Sequence, residues 1–172
     1  LLASNKSRAA TLFKEIYLAM KTSIPSTVVI DLSFAIDVTG SMSPFSRSIE
    51  STSKNLLQGA NSIAEKLKKR FPEMTFKIRV GVLGFRDIDD KADQFQESSF
   101  LDGCHFTENT NDALTLIQSI TSNSSGGCDL AEDSLGAIDR CLKWKESDDW
   151  TGTIKCLLLL TDAPAHGFAP ME

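Results

Sequence analysis

No two of the 4 cysteines lie close together: Cys104, Cys128, Cys141 and Cys156 are scattered along the chain. Without a Cys-x-x-Cys pair, neither a zinc knuckle nor a dithiol redox motif is expected. Scattered free thiols fit a reducing, cytoplasmic setting. An extracellular one stays open, because the count is even and the triplets Asn5-Lys6-Ser7 and Asn123-Ser124-Ser125 have the form of glycosylation sequons. Long apolar runs are also lacking. None reaches the roughly 18 residues of a membrane span, and the N-terminus has no secretory apolar core, so the chain is expected to be soluble. Clustered positive charge is scarce too, with 18 basic residues against 23 acidic and a net charge of -5. That balance speaks against a nucleic-acid surface, which depends on grouped Lys and Arg. The one basic group, at residues 66–70, closes a helical pattern, where cations complement the negative end of the helix dipole.

Several catalytic signatures are missing as well. There is no Gly-x-x-x-x-Gly-Lys phosphate loop, and no serine, histidine and acid with hydrolase spacing. Asp87, Asp89, Asp90 and Asp93 lack the glycine and terminal glutamate of a calcium-binding hand loop; they read as surface charge. His166, in a Pro-Ala-His-Gly turn, reads as structural or solvent-facing rather than catalytic, and His105 has no partner motif.

What the chain does have is enough apolar material for one core: 172 residues, 41% hydrophobic and 24% charged. Residues 4–22 carry Ala9, Leu12, Phe13, Ile16 and Met20 at helical spacing. After Pro25, residues 27–36 form a nearly continuous β-branched run, as expected of a strand covered on both faces. Ser43-Pro44 reads as a helix start, and Ile49, Leu56, Leu57, Ala60, Ile63, Ala64 and Leu67 continue one face to Phe71-Pro72. Residues 74–85 predict a second strand. An edge hairpin or brief third strand is expected near Phe95, Phe100 and Phe106. Further helices are expected from Asn109 or Thr110 to Thr121, and from Leu130 to about Lys145 with Leu135, Ile138 and Leu142 inward. Residues 154–160 predict another strand.

Strands alternating with long helices imply an α/β fold with a mostly parallel sheet. In such sheets ligands gather beyond the carboxyl ends of the strands. Two aspartates occupy such ends: Asp37, opening Asp37-Val38-Thr39-Gly40-Ser41, and Asp162, closing Leu159-Leu160-Thr161-Asp162. A third loop, Gly126-Gly127-Cys128-Asp129, leads into a helical pattern. Carboxylates and hydroxyls converging from three loops suit a hard divalent cation. The bland alternative is that the hydroxyls and Asp129 cap the helices that follow them. It accounts poorly for carboxylates at matching edges, which repel one another without a cation.

Together, Asp37-Val38-Thr39-Gly40-Ser41-Met42, the Gly126-Gly127-Cys128-Asp129 loop with Glu132-Asp133, and Thr161-Asp162 resemble the von Willebrand factor A domain over roughly residues 26–168. The Gly-Phe-Arg-Asp run at 84–87 and Asp162-Ala163-Pro164-Ala165-His166-Gly167 look like the branch attached to alpha-type protein kinases; hemicentin-like extracellular proteins share the Asp-Val-Thr-Gly-Ser-Met form. The resemblance implies a doubly wound, Rossmann-like sheet with helices on both faces over residues 26–172, incomplete at its C-terminus, after a helical extension at residues 1–25. It also implies a metal-ion-dependent adhesion site of Asp37, Thr39, Ser41, Asp129 and Asp162. Thr39 stands for the family's first serine and keeps the hydroxyl. Asp129 stands where the family has threonine, and its added negative charge favours tighter cation binding. The expected cofactor is Mg2+, with Mn2+ or Ca2+ as alternatives, and the expected partner is a protein offering a carboxylate. No catalysis is expected, and any kinase activity of a parent protein would lie outside this chain. Two alternatives stay open: a magnesium-dependent phosphohydrolase with Asp37 as nucleophile, which would need a second acid where Thr39 stands, and a structural domain with a decayed metal site.

Overall fold

The computed structural model describes residues 26–100, 103–127, 131–144 and 149–165, with the side chains of 91–93 set aside. The expected N-terminal helix at 4–22, Asp129 and His166 lie outside these residues. Strand β1 (Thr27–Asp37) is the axis of the molecule. Its β-branched run pairs in parallel with β2 (Thr75–Phe85) along one edge and with β5 (Ile154–Leu160) along the other. Two short segments, β3 (Phe95–Glu97) and β4 (Phe106–Thr107), pair antiparallel with the outer edge of β2. The sheet is therefore mixed and five-stranded, in the order β3-β2-β1-β5 with β4 beside β2. Of the expected edge hairpin or brief third strand, the brief strand forms: β3 and β4 meet successive parts of β2 rather than each other. Ser98 joins the two by donating its amide to Val82 O at 2.8 Å and its hydroxyl to His105 O at 2.6 Å.

Side chains alternate across a strand, so β1 feeds two separate cores. Phe34 and Ile36 pack with Val80, Val82, Leu57 of helix α1 (Ser46–Arg70) and Ile117 of helix α2 (Thr110–Ser122). Ala35, Leu83 and Phe85 pack on the other face with Ala137 and Cys141 of helix α3 (Ser134–Lys143), together with Trp144 and Trp150.

Three expectations are corrected. The chain after β1 first makes a tight 3-10 turn, Gly40–Phe45, with Pro44 inside it, and α1 opens only at Ser46. Helix α3 begins at Ser134, not near Leu130; its N-cap is Asp133, whose carboxylate accepts from Gly136 N at 2.9 Å. The inward face of α3 is Ser134, Ala137 and Cys141, while Leu135 and Leu142 are 52% and 59% exposed. On α1, Leu56 and Ile63 likewise lie exposed. Among the described residues no helix is long and apolar enough to cross a membrane, and Cys104, Cys141 and Cys156 are free thiols.

Candidate metal centre

Parallel pairing on both sides of β1 brings three strand ends to one edge. The register that sets Ile36 beside Leu160 carries on by one residue, so Asp37 meets Thr161. Thr161 Oγ1 donates to Asp37 Oδ2 at 2.9 Å. The other oxygen, Oδ1, accepts from Thr39 N at 2.9 Å and from Thr39 Oγ1 at 2.7 Å. Asp37 is 0% exposed, and these three donors offset the cost of burying its charge.

The hydroxyls extend this network outward. Thr39 Oγ1 lies 3.1 Å from Ser41 Oγ, and Ser41 Oγ donates to Asp162 Oδ1 at 3.1 Å. Four of the five expected ligands, Asp37, Thr39, Ser41 and Asp162, thus lie in one chain of oxygens, each within 3.1 Å of the next. Ser41 and Asp162 are its exposed end. A hydroxyl has one proton to give. With Thr39 donating to Asp37 and Ser41 to Asp162, the two hydroxyl oxygens face each other at 3.1 Å with lone pairs and no proton between them.

Magnesium holds oxygens at about 2.0–2.1 Å in an octahedron, which separates neighbouring ligands by about 3 Å. Successive oxygens of the chain have about that spacing, and hydroxyls with carboxylates are the donor types such an ion takes. The donor set is rich in hydroxyls: among the described residues no group of three or more His, Cys, Asp or Glu side chains gathers to hold a metal.

The loop at 123–127 closes over the first turn. Ser125 N donates to Val38 O at 2.9 Å, and Gly40 N donates to Gly126 O at 3.1 Å. Gly126 and Gly127 both have positive φ, at 83° and 81°. Gly127 leaves little room for a side chain: a Cβ there would sit 3.1 Å from Thr39 Cβ and 3.2 Å from Glu132 Oε1. Glu132 N donates to Pro164 O at 3.0 Å, tying the entry of α3 to the turn after β5.

Two residues of this neighbourhood belong to the quoted motifs but were not expected at the site. Thr161 is the alternate-hydroxyl neighbour of Asp162, and Glu132, 3% exposed, is an acid in the segment after the paired glycines. Two aspartates read as surface charge are corrected. Asp87 is buried, with Oδ1 accepting from Ile88 N, and Asp90 accepts from Gly127 N at 3.3 Å. His105 stacks on Trp144 at 4.6 Å and donates from Nδ1 to Ser98 O at 2.6 Å; it belongs to the packing of the β3 and β4 edge. Beside Ser41 and Asp162 runs an open groove of about 370 Å³ between the 40–45 turn, α1 and the end of β5.

No protein-family model matches the chain. Over 156 residues it is 29% identical to an alpha-protein kinase, vwkA, of Dictyostelium discoideum. The matched stretch takes in 90% of this chain but 21% of that protein, so the chain spans about a fifth of its relative's length. The likeness is distant and partial, and it agrees loosely with the expected branch of von Willebrand factor A domains attached to alpha-type kinases.

Proposed function

We propose that the chain is a doubly wound von Willebrand factor A-type domain and a non-catalytic protein-binding module, holding a divalent cation, Mg2+ first, at the shared end of β1 and β5. When bound, the cation supplies a Lewis-acidic position for a carboxylate of a protein partner. The carrying observation is the commitment of hydroxyl protons to carboxylates: Asp37 takes those of Thr39 and Thr161, and Asp162 takes that of Ser41. Asp37 thereby orients hydroxyls from two loops, the Thr161 oxygen also accepting from Ala163 N at 3.2 Å. Asp162 does the same from the exposed side, and Asp129 is the proposed ligand of the second loop.

The burial of Asp37 disfavours the phosphohydrolase. A nucleophilic carboxylate must reach phosphorus in line, whereas both oxygens of Asp37 are covered by threonine hydroxyls. A decayed site would not need to keep four oxygen side chains in such close succession.

Thermal melts with magnesium and after chelation test the proposal. At a magnesium concentration of about 100 times Kd, a cation that binds only the folded state stabilises it by about 2.7 kcal/mol, which in a domain of this size raises Tm by roughly 5–10 °C. The rise is expected in the wild type and absent in Asp37→Ala. Magnesium-dependent turnover of a generic phosphate ester, lost in Asp37→Asn, would favour the enzyme instead.

A further inference from the structure

Arg86 directly follows β2 and is 5% exposed. It bridges backbone carbonyls. Nε donates to Ser125 O at 2.9 Å and Nη2 to Asn123 O at 3.2 Å. In the amide orientation that satisfies both partners, the Gln96 side-chain oxygen accepts from Nη1 at 3.0 Å and Nη2 at 3.3 Å. The backbone of Arg86 is held as well, its N–H donating to Gln94 O at 2.8 Å.

The carbonyls of 123 and 125 follow α2, whose C-cap is Asn123. The end of a helix leaves carbonyls without intrahelical partners and carries partial negative charge. A guanidinium answers both needs with a rigid fork of donors, which a lysine ammonium cannot reproduce.

The next bonds along the chain lead into the cation site. Ser125 N reaches Val38 O, Gly126 O receives Gly40 N, and Gly127 N reaches Asp90. Val38 and Gly40 flank Thr39, so the segment that Arg86 pins is the one that fixes the first ligand turn and leads on toward Asp129. We propose that Arg86, supported by Gln96, is a positioning residue that sets the 123–127 loop against the 37–41 turn and thereby tunes cation affinity; this rests on the cation-binding function proposed above. The competing account is that Arg86 only ends α2 and contributes stability with no bearing on the site.

The test compares the wild type with Arg86→Lys, Gln96→Leu and, as a control, Arg79→Lys. Arg79 is another arginine paired inside the fold, on Asp31, which precedes Asp37 by six residues along β1 (37 − 31 = 6), about 20 Å at about 3.3 Å per residue. Two quantities are measured: manganese affinity by calorimetry, and amide hydrogen exchange of Gly40, Ser125 and Gly127 in chelator, which needs no metal.

In Arg86→Lys we expect about tenfold or greater loss of manganese affinity, the usual scale for residues that orient ligands. The Gly40 and Ser125 amides should exchange faster, with those of Phe34 and Val82 unchanged. Gln96→Leu should shift both quantities the same way by less, and Arg79→Lys should lower the melting temperature with neither changed. Affinity and loop protection that stay at wild-type values in Arg86→Lys, whatever its stability, overturn the proposal. Should Arg86→Lys fail to fold, Gln96→Leu decides by the same two readouts. A wild type that binds no manganese defeats the cation-binding function, and loop protection then decides alone whether Arg86 orders the segment.

Discussion

Asp31 is a charge in the middle of an apolar strand, and its whole environment is arranged to keep it. Arg79 meets it with two bonds, Nε to Oδ1 at 2.8 Å and Nη2 to Oδ2 at 2.9 Å, and Gly152 N adds a third at 2.5 Å. Arg79 in turn donates to Asp149 O at 2.6 Å and lies 5.2 Å from the centre of the Phe106 ring. Removing one partner leaves the other charge uncompensated. Arg79→Leu should therefore cost about 3–5 kcal/mol in chemical denaturation, with cation affinity unchanged; a loss below about 1 kcal/mol would contradict this. Cys141 is the opposite case, a neutral thiol in the core beside Ser33 Oγ at 3.7 Å. Burial pushes its pKa up to about 11 from an ordinary 9.0. Because the folded value lies above the unfolded one, this contribution to stability is complete below about pH 9 and is lost as pH rises through 11. In the native protein the exposed Cys104 and Cys156 should react with iodoacetamide at pH 8 while Cys141 stays unmodified. Early modification of Cys141 would show that its pocket opens. At this scale the sequence was only partly legible. Asp37 and Asp162 stand out because apolar runs stop at them, whereas Asp31 is silent, its partner lying 48 positions away in the chain.

Glycines and helix faces decide matters at the scale of elements. Gly103 and Gly127 both have positive φ, at 76° and 81°, but a Cβ on Gly103 meets nothing within 4 Å while one on Gly127 runs into Thr39 and Glu132. Alanine should cost about 1–2 kcal/mol of backbone strain at either position. Only Gly127→Ala should also lose the magnesium-dependent rise in Tm, and an unchanged rise would detach this loop from the site. The helices show where periodicity fails. In α3 the large apolar side chains of Leu135 and Leu142 suggested the buried face, yet the small Ala137 and Cys141 sit against the sheet beside Trp144 and Trp150. Close approach of the helix to the sheet favours small side chains, and the tryptophans supply the bulk. Such a choice depends on partners distant in sequence. The turn before α1 was missed for a similar reason: Ser43-Pro44 is compatible with a helix start, but its hydrogen bonds follow from Thr39 O receiving Met42 N at 3.2 Å, inside the ligand turn.

For the molecule as a whole, the alternation of strands and helices was enough to expect an α/β sheet with β1 at its centre. The antiparallel edge was not foreseeable in detail, since β3 and β4 are 3 and 2 residues long, too short for a periodic signal. The strand order also decides where the site sits. With β2 and β5 on either side of β1, the loops after all three strands end at the same edge, and oxygen donors far apart in the chain come within hydrogen-bonding reach. The proposed function depends on that convergence supporting a cation. The most direct test is calorimetric titration of manganese into chelator-stripped, folded protein, beside Ser41→Ala, an exposed change that leaves both cores untouched. The account predicts one site per chain in the wild type and a loss of affinity of about tenfold or more in Ser41→Ala. Wild-type protein that is folded and takes up no manganese, or equal affinity in the two proteins, would contradict it.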